Sequence, residues 1–251
     1  NFTQLILEQK NVESLALITM TYDLPFKDGN AAKVHNQLLT LADNGTSVHV
    51  GVDHAYANLL MAQTDIPKAL VPFLTRRQPY KAVEEKKKKA FRELSAHPNI
   101  NLLFEGKGHR KVIPLHNLDH RKTLRVRGSA LNDFAVIYGF NINYQLDGQI
   151  IDSGIYLTDP NALAWIDNNL ETGHFTQPDK KKVGNLSLIT RELTPEGDRL
   201  ADEEIKDVID HAENELLFCG QFVPDGKEFE DMYNAAKRGV KVSIFTNNPA
   251  T

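Results

Sequence analysis

Apolar positions in this chain follow two rhythms, and the change from one to the other marks its elements. Leu15 to Tyr22 is an apolar run with β-branched members, the pattern of a buried strand. Ala31 to Asn44 changes to helical spacing, with Val34, Leu38, Leu41 and Ala42 on one stripe and Gly45 where a helix stops. Val48 to Val52 is a second strand. The order strand–helix–strand is the unit of a parallel or mixed sheet. Residues 55–78, around Pro67 and Pro72, keep neither rhythm. Lys81 to Ala96 predicts a helix with Val83, Ala90, Phe91 and Leu94 on one face, and Ile100 to Phe104 a strand. Lys122 to Arg127 alternates and Phe134 to Tyr138 is apolar throughout, so two strands flank a loop holding Gly128 and Asn132-Asp133. Ile150 to Leu157 reads as a further strand, and Asn161 to Leu170 as a short helix behind Asp159-Pro160.

Gly173 to Gly184 is polar, with Pro178 and Lys180-Lys-Lys182, and reads as a linker or long loop. It divides the chain into 1–178 and 179–251. Beyond it the pattern predicts a strand at Leu186–Ile189, a helix at Asp202–Asn214, a strand at Leu216–Gly220, a helix at Lys227–Arg238 and a strand at Val240–Thr246. The fold class is α/β, a mixed sheet flanked by helices. The head of the chain and its tail match in layout. Gly45 aligns with Gly239, Val48 with Val242, Val50 with Ile244 and Asp53 with Asn247, an offset of 194 residues. Read as a duplication, the tail opens a second lobe, and the expectation is that its remainder lies beyond Thr251.

Composition narrows the classes. The 251 residues carry 29 Lys and Arg against 33 Asp and Glu, a net charge of −4. That argues against a protein coated in positive charge to hold duplex DNA. The run Glu84-Glu-Lys-Lys-Lys-Lys89 reads as a solvated helix face, with an anionic lipid surface or nucleic acid as the sharper alternative. A single cysteine, Cys219, excludes an intrachain disulfide and a multi-cysteine zinc site. Cys219 falls in an apolar strand and reads as a core thiol, and Trp165 reads as packing. No run approaches the roughly 20 apolar residues of a membrane span.

The chemistry is densest at His109-Arg-Lys-Val-Ile-Pro-Leu-His-Asn-Leu-Asp-His-Arg-Lys122. A metal reading fits poorly, because Arg and Lys stand directly beside the histidines and repel a divalent cation. His120-Arg-Lys122 fits phosphoryl chemistry better. In a strand His120 and Lys122 share a face and Arg121 takes the other. An imidazole there attacks phosphorus or moves a proton, while an ammonium holds a non-bridging oxygen. Asn141, closing the next strand in Gly139-Phe-Asn141, is placed to donate to the same phosphate. His116 reads as a loop histidine in solvent.

Asp119-His120-Arg-Lys122-Thr-Leu-Arg-Val-Arg127-Gly128, followed by Tyr138-Gly-Phe-Asn141-Ile, resembles the first H-x-K-x4-D and Gly-x-Asn motif of the phospholipase D superfamily. The cardiolipin-synthase-like and phosphatidyltransferase branch is most similar. Glu215 to Asp225 with Arg238 to Asn247 resembles the start of that branch's second half, and Ile151-Asp152 the acidic strand after the first motif. His109-Arg-Lys111 matches H-x-K as well, but the Gly-x-Asn follow-up selects His120. The resemblance implies two such motifs, one per lobe, meeting at a pseudo-twofold. One histidine becomes a phosphohistidine and the other protonates the leaving alcohol, with no metal or other cofactor. His120, Lys122 and Asn141 carry over as the first half-site, and Phe222 as a lining of the cleft. The implied substrate is a phospholipid or another phosphodiester, with a membrane surface and either a homodimer or a second motif beyond this chain as partners. A nuclease and an inactive binding protein are the alternative readings. Two departures stand out. The motif's aspartate position holds Arg127, a charge reversal expected to disfavour a protonated imidazole, with Asp133 or Asp119 as substitutes. The loop after it is also about four residues longer than the family pattern.

Overall fold

The leading strand–helix–strand folds as read: β1 (Ser14–Thr19), a helix over Asn30–Asp43, and β2 (Ser47–Asp53). The computed structural model describes residues 2–24, 27–53, 79–105, 121–128, 133–142, 146, 154–171, 180–189, 195–220 and 226–246. Among them a short helix, α1 (Phe2–Leu7), precedes β1, so the Asn30–Asp43 helix is α2. Then come α3 (Pro79–Ala96), β3 (Ile100–Glu105), β4 (Thr123–Arg127), β5 (Phe134–Tyr138), β6 (Gly154–Leu157) and α4 (Pro160–Glu171). Residues 55–78, the His109–Asp119 stretch and Ile150–Asp152 lie outside the described residues.

The six strands form one mixed sheet in the order β3-β2-β1-β4-β5-β6. β1, β2 and β3 run parallel; β4 is antiparallel to β1, β5 to β4 and β6 to β5. Alternation sorts the strand residues by face. Leu15, Leu17, Val48, Val50, Val52, Leu124, Val126, Phe134, Val136 and Tyr138 join Ile6 of α1, the α2 stripe, and Ala90, Phe91 and Leu94 of α3 in one core. At β4 the opposite face carries Thr123, Arg125 and Arg127, and α4 covers it with Ala162, Leu163 and Ile166 buried. A one-residue slip of β4 would drive Arg125 into the apolar core, so the register is strongly specified.

Two compact units divide the chain, Asn1–His174 and Phe175–Thr251. The second holds β7 (Lys180–Val183), β8 (Leu186–Ile189), α5 (Pro195–Asp210), β9 (Glu215–Gly220), α6 (Gly226–Lys237) and β10 (Lys241–Thr246). Lys180–Val183, expected as linker, is instead a strand paired antiparallel with Leu186–Ile189. Three lysines give no apolar alternation to read; the partner strand supplies the ladder, and Lys180 pairs with Glu204 of α5. Helix α5 also starts earlier than Asp202.

The duplication read from layout has a geometric counterpart. At the end of α2, Gly45 takes φ 89°, its N–H bonds Ala42 O at 3.0 Å, and Thr46 N–H bonds Leu41 O at 3.0 Å. At the end of α6, Gly239 takes φ 96°, its N–H bonds Ala236 O at 3.0 Å, and Val240 N–H bonds Ala235 O at 3.2 Å. Both are the left-handed stop that satisfies the last carbonyls of a helix. The next residue in each copy enters the same parallel ladder: Ser47 N–H bonds Glu13 O at 3.1 Å, and Lys241 N–H bonds Asn214 O at 2.9 Å.

Candidate active site

Sheet direction collects three chain ends at one edge. Antiparallel pairing of β1 with β4 and of β4 with β5 sets the start of β4 beside the ends of β1 and β5. Lys122 is the residue just before β4, and its carbonyl accepts from Tyr138 N–H at 3.0 Å. Asn141 lies three residues beyond Tyr138. Past the head of β4, β1 and β5 no longer have a strand between them, and they close on each other. Tyr22 and Ile142 form a parallel bridge, with Asp23 N–H to Ile142 O at 2.8 Å and Ile142 N–H to Thr21 O at 3.2 Å.

This closure orients Asn141. Its Oδ1 accepts from Thr21 N–H at 3.2 Å. With the oxygen turned to the backbone, the donor end of the amide is Nδ2, the group that phosphate binding requires. Thr19 Oγ1 donates to Thr21 O at 2.9 Å and accepts from Ile142 N–H at 3.4 Å, bracing the same turn. Beneath it the Tyr138 hydroxyl, buried, donates to Ile18 O at 2.7 Å; burial pushes its pKa well above the usual value, so it stays a phenol.

Lys122, partly buried, is in phase with Leu124 and Val126 along β4. Arg121 takes the other side, as alternation predicts, and its Nη1 donates to Asn169 O on α4 at 2.9 Å. The structure thus brings the Lys122 backbone and Asn141 to one edge. His120, the nucleophile of the sequence reading, lies outside the described residues, as do Asp119, His116, His109, Lys111 and Phe222.

Arg127 stands at the other end of β4. Five residues separate it from Lys122, about 16 Å at a strand's rise. Its Nη2 pairs with Asp167 Oδ1 of α4 at 3.0 Å. Arg125, buried, is the centre of that cluster: Nε and Nη2 grip Asp167 at 2.8 and 3.1 Å, and Nη2 also reaches Asp133 Oδ2 at 3.1 Å. Asp133 Oδ1 accepts from Gly128 N–H at 2.9 Å. Burial works against ionising Asp133, but the Gly128 N–H and the Arg125 guanidinium together hold its carboxyl below the ordinary range. Asp133 therefore pins the β4–β5 connection and sits far from Lys122. At that distance from Lys122 water and salt screen the partly exposed Arg127 charge. An open hollow of about 590 Å³ lies at this end, lined by Arg125, Asp133, Thr158, Leu163 and Asp167. The charged side chains that line it are paired with one another.

Sequence reasoning missed a second cluster at the site edge: Tyr22, His35 and Glu93. His35 interrupts the apolar stripe of α2, between Val34 and Leu38, and is buried. A histidine inside such a stripe was the available signal; its partners, 13 and 58 residues away, were not.

No family model and no curated protein matches the chain. Among solved structures, a polyphosphate kinase from Porphyromonas gingivalis is similar over 98% of this chain at 12% identity, with a TM-score of 0.51. The chain spans 35% of the length of that kinase. NucT from Helicobacter pylori aligns over 68% of this chain and 82% of its own at 11% identity, with a TM-score of 0.39. The likeness to the kinase is one of fold, and the expected class, an α/β mixed sheet flanked by helices, is borne out.

Proposed function

We propose that this chain carries the first half-site of an enzyme that transfers or hydrolyses phosphodiesters through a phosphohistidine, with phospholipids as its substrates. The observation that supports the reading is the placing at one sheet edge of the Lys122 backbone, at the head of β4, and of an Asn141 amide whose oxygen is tied to Thr21. In this reading His120 Nε2 attacks phosphorus, a P–N bond forms and the P–O bond to the leaving alcohol breaks. A histidine from a second motif supplies that alcohol's proton. Water or an acceptor alcohol then attacks phosphorus, gives up its proton to the same histidine and frees His120. Lys122 and the Asn141 Nδ2 group hold the non-bridging oxygens, where charge builds up in the transition state. A homodimer or a second H-x-K motif would supply the other half. The inactive reading rests on Arg127 at the motif's aspartate position; the pairing of Arg127 with Asp167, at the end of β4 away from Lys122, supports the active one.

The test is turnover by the purified full-length protein, with both half-sites present, in a chelator, with phosphatidylglycerol vesicles and single-stranded DNA offered side by side. Lipid turnover that falls by about three orders of magnitude in His120→Asn is the expected result. DNA cleavage lost in the same variant moves the substrate to nucleic acid. No turnover of either by folded protein overturns the reading.

A further inference from the structure

The site end of β1 is tied to the outer surface of α3 by three side chains that the phosphoryl chemistry leaves unused. Tyr22, wholly buried, reaches His35 Nδ1 on α2 at 3.0 Å. His35 Nε2 stands 3.1 Å from Glu93 Oε2 on α3, and Glu93 is 41% exposed, with Lys89 Nζ 3.6 Å from its other oxygen. A carboxylate at Nε2 selects the Nε2–H tautomer, which leaves Nδ1 as the acceptor of the Tyr22 hydroxyl. The phenol donates to the imidazole and the imidazole donates to the carboxylate. Burial holds His35 below the ordinary histidine range although Glu93 pulls the other way, and burial also keeps Tyr22 protonated.

Tyr22 is also the residue whose backbone bridges Ile142, and Thr21, its neighbour, holds Asn141. Phe and Leu would fill the same volume in this apolar cluster without desolvating polar groups. What the polar chain adds is direction: it allows the Tyr22 ring one height and one rotation. We infer that Tyr22, His35 and Glu93 are positioning residues of the candidate active site, fixing the end of β1 at the height from which Thr21 carries Asn141. Its consequence for turnover rests on the proposed function; its consequence for structure does not.

The experiment is amide hydrogen exchange by NMR on the whole chain, alongside the turnover assay. In Tyr22→Phe and His35→Leu, exchange at the Thr21, Asp23 and Ile142 amides rises by about tenfold, while the Val50 and Leu102 amides of β2 and β3 hold. His35→Gln, whose amide both accepts and donates, stays within about twofold of the wild type. The groups facing His35 are Tyr22, three residues past β1, and Glu93 and Lys89 from α3. Acidification protonates Nδ1 and turns it from acceptor to donor, so the bond reverses and the buried Tyr22 hydroxyl proton loses its acceptor; corrected exchange at these three amides therefore speeds up at low pH in wild type but not in His35→Gln. In turnover, kcat falls in Tyr22→Phe and His35→Leu with KM unchanged. Unmoved amides in Tyr22→Phe, or moved amides with unaltered kcat, overturn the inference. If the amides respond as expected but the wild type turns over no substrate, it is the proposed function that fails, and the positioning of Asn141 stands.

Discussion

At the residue scale the decisive side chain is Arg127, because the sequence and the structure give it different meanings. Against the motif it is a lost carboxylate, and the obvious repair is Arg127→Asp. In the structure it pairs with Asp167 beside Arg125, at the end of β4 away from Lys122. Arg127→Asp would set a second carboxylate against Asp167. The expected outcome is a loss of about 1–2 kcal/mol in chemical denaturation, with turnover changed by less than about threefold. Arg125→Met should lose more, about 3–5 kcal/mol, because it removes the buried guanidinium from Asp133 and leaves Asp167 with Arg127 alone. Turnover that appears only in Arg127→Asp would favour the inactive reading instead. The titratable residues make a second prediction. His35 and His49 have pKa values lowered from 6.5 by burial, with Arg121 adding to it at His49. The native state therefore binds these protons less readily than the unfolded chain. Their contribution is complete above pH 6.5 and is lost as pH falls below it. Tyr22 and Tyr138 are raised from 10.0, so theirs is complete below that pH and is lost above it. Urea denaturation across pH should show a plateau between the two limbs, and His35→Gln should flatten the acid one.

At the scale of elements, two glycines make matched reporters of the repeat. Gly45 and Gly239 both sit at positive φ with open space where a Cβ would stand. Replacing either by Ala strains only the backbone, so Gly45→Ala and Gly239→Ala should each cost about 1 kcal/mol, read by hydrogen exchange in its own unit. Unequal costs would mean that the two turns are not equivalent. Most elements were legible because strands and helices bury one face and so write their period into the sequence. β7 was not, since three lysines carry no alternation and only pairing with Leu186–Ile189 makes the strand. Nor was the burial of Arg125: in Lys122 to Arg127 it reads as an outward polar position, and only the arrival of α4, with Asp167 42 residues on, turns that face inward. Lys122 and Asn141 were legible by motif, while the bond from Thr21 to Asn141 spans 120 residues and belongs to the folded sheet.

At the scale of the molecule, the two units share a strand–helix–strand plan but differ in what surrounds it. In the first, β1 has a strand on both sides and its core draws on three helices. Among the described residues of the second, β9 pairs with β10 alone, and the buried cluster beside that pair is Ile209, Met232, Ala235 and Val240. Leu217 and Phe245 on the outer face of that pair are 60% and 62% exposed, and Val208 and Tyr233 on the helices 63% and 56%. A two-stranded sheet on so few buried side chains is marginal, because each ordered residue loses backbone entropy that little burial offsets. Local opening free energy should follow that difference. The amides of β9 and β10 should exchange at least about a hundredfold faster than those of β1 and β2, and thermal unfolding should show residues 175–251 melting first. Coincident melting of both units, with equal protection in β1 and β9, would show that the second unit draws its stability from more than its own core. It would then have to be treated as part of the first unit's fold, and its likeness to β1–α2–β2 as local geometry alone.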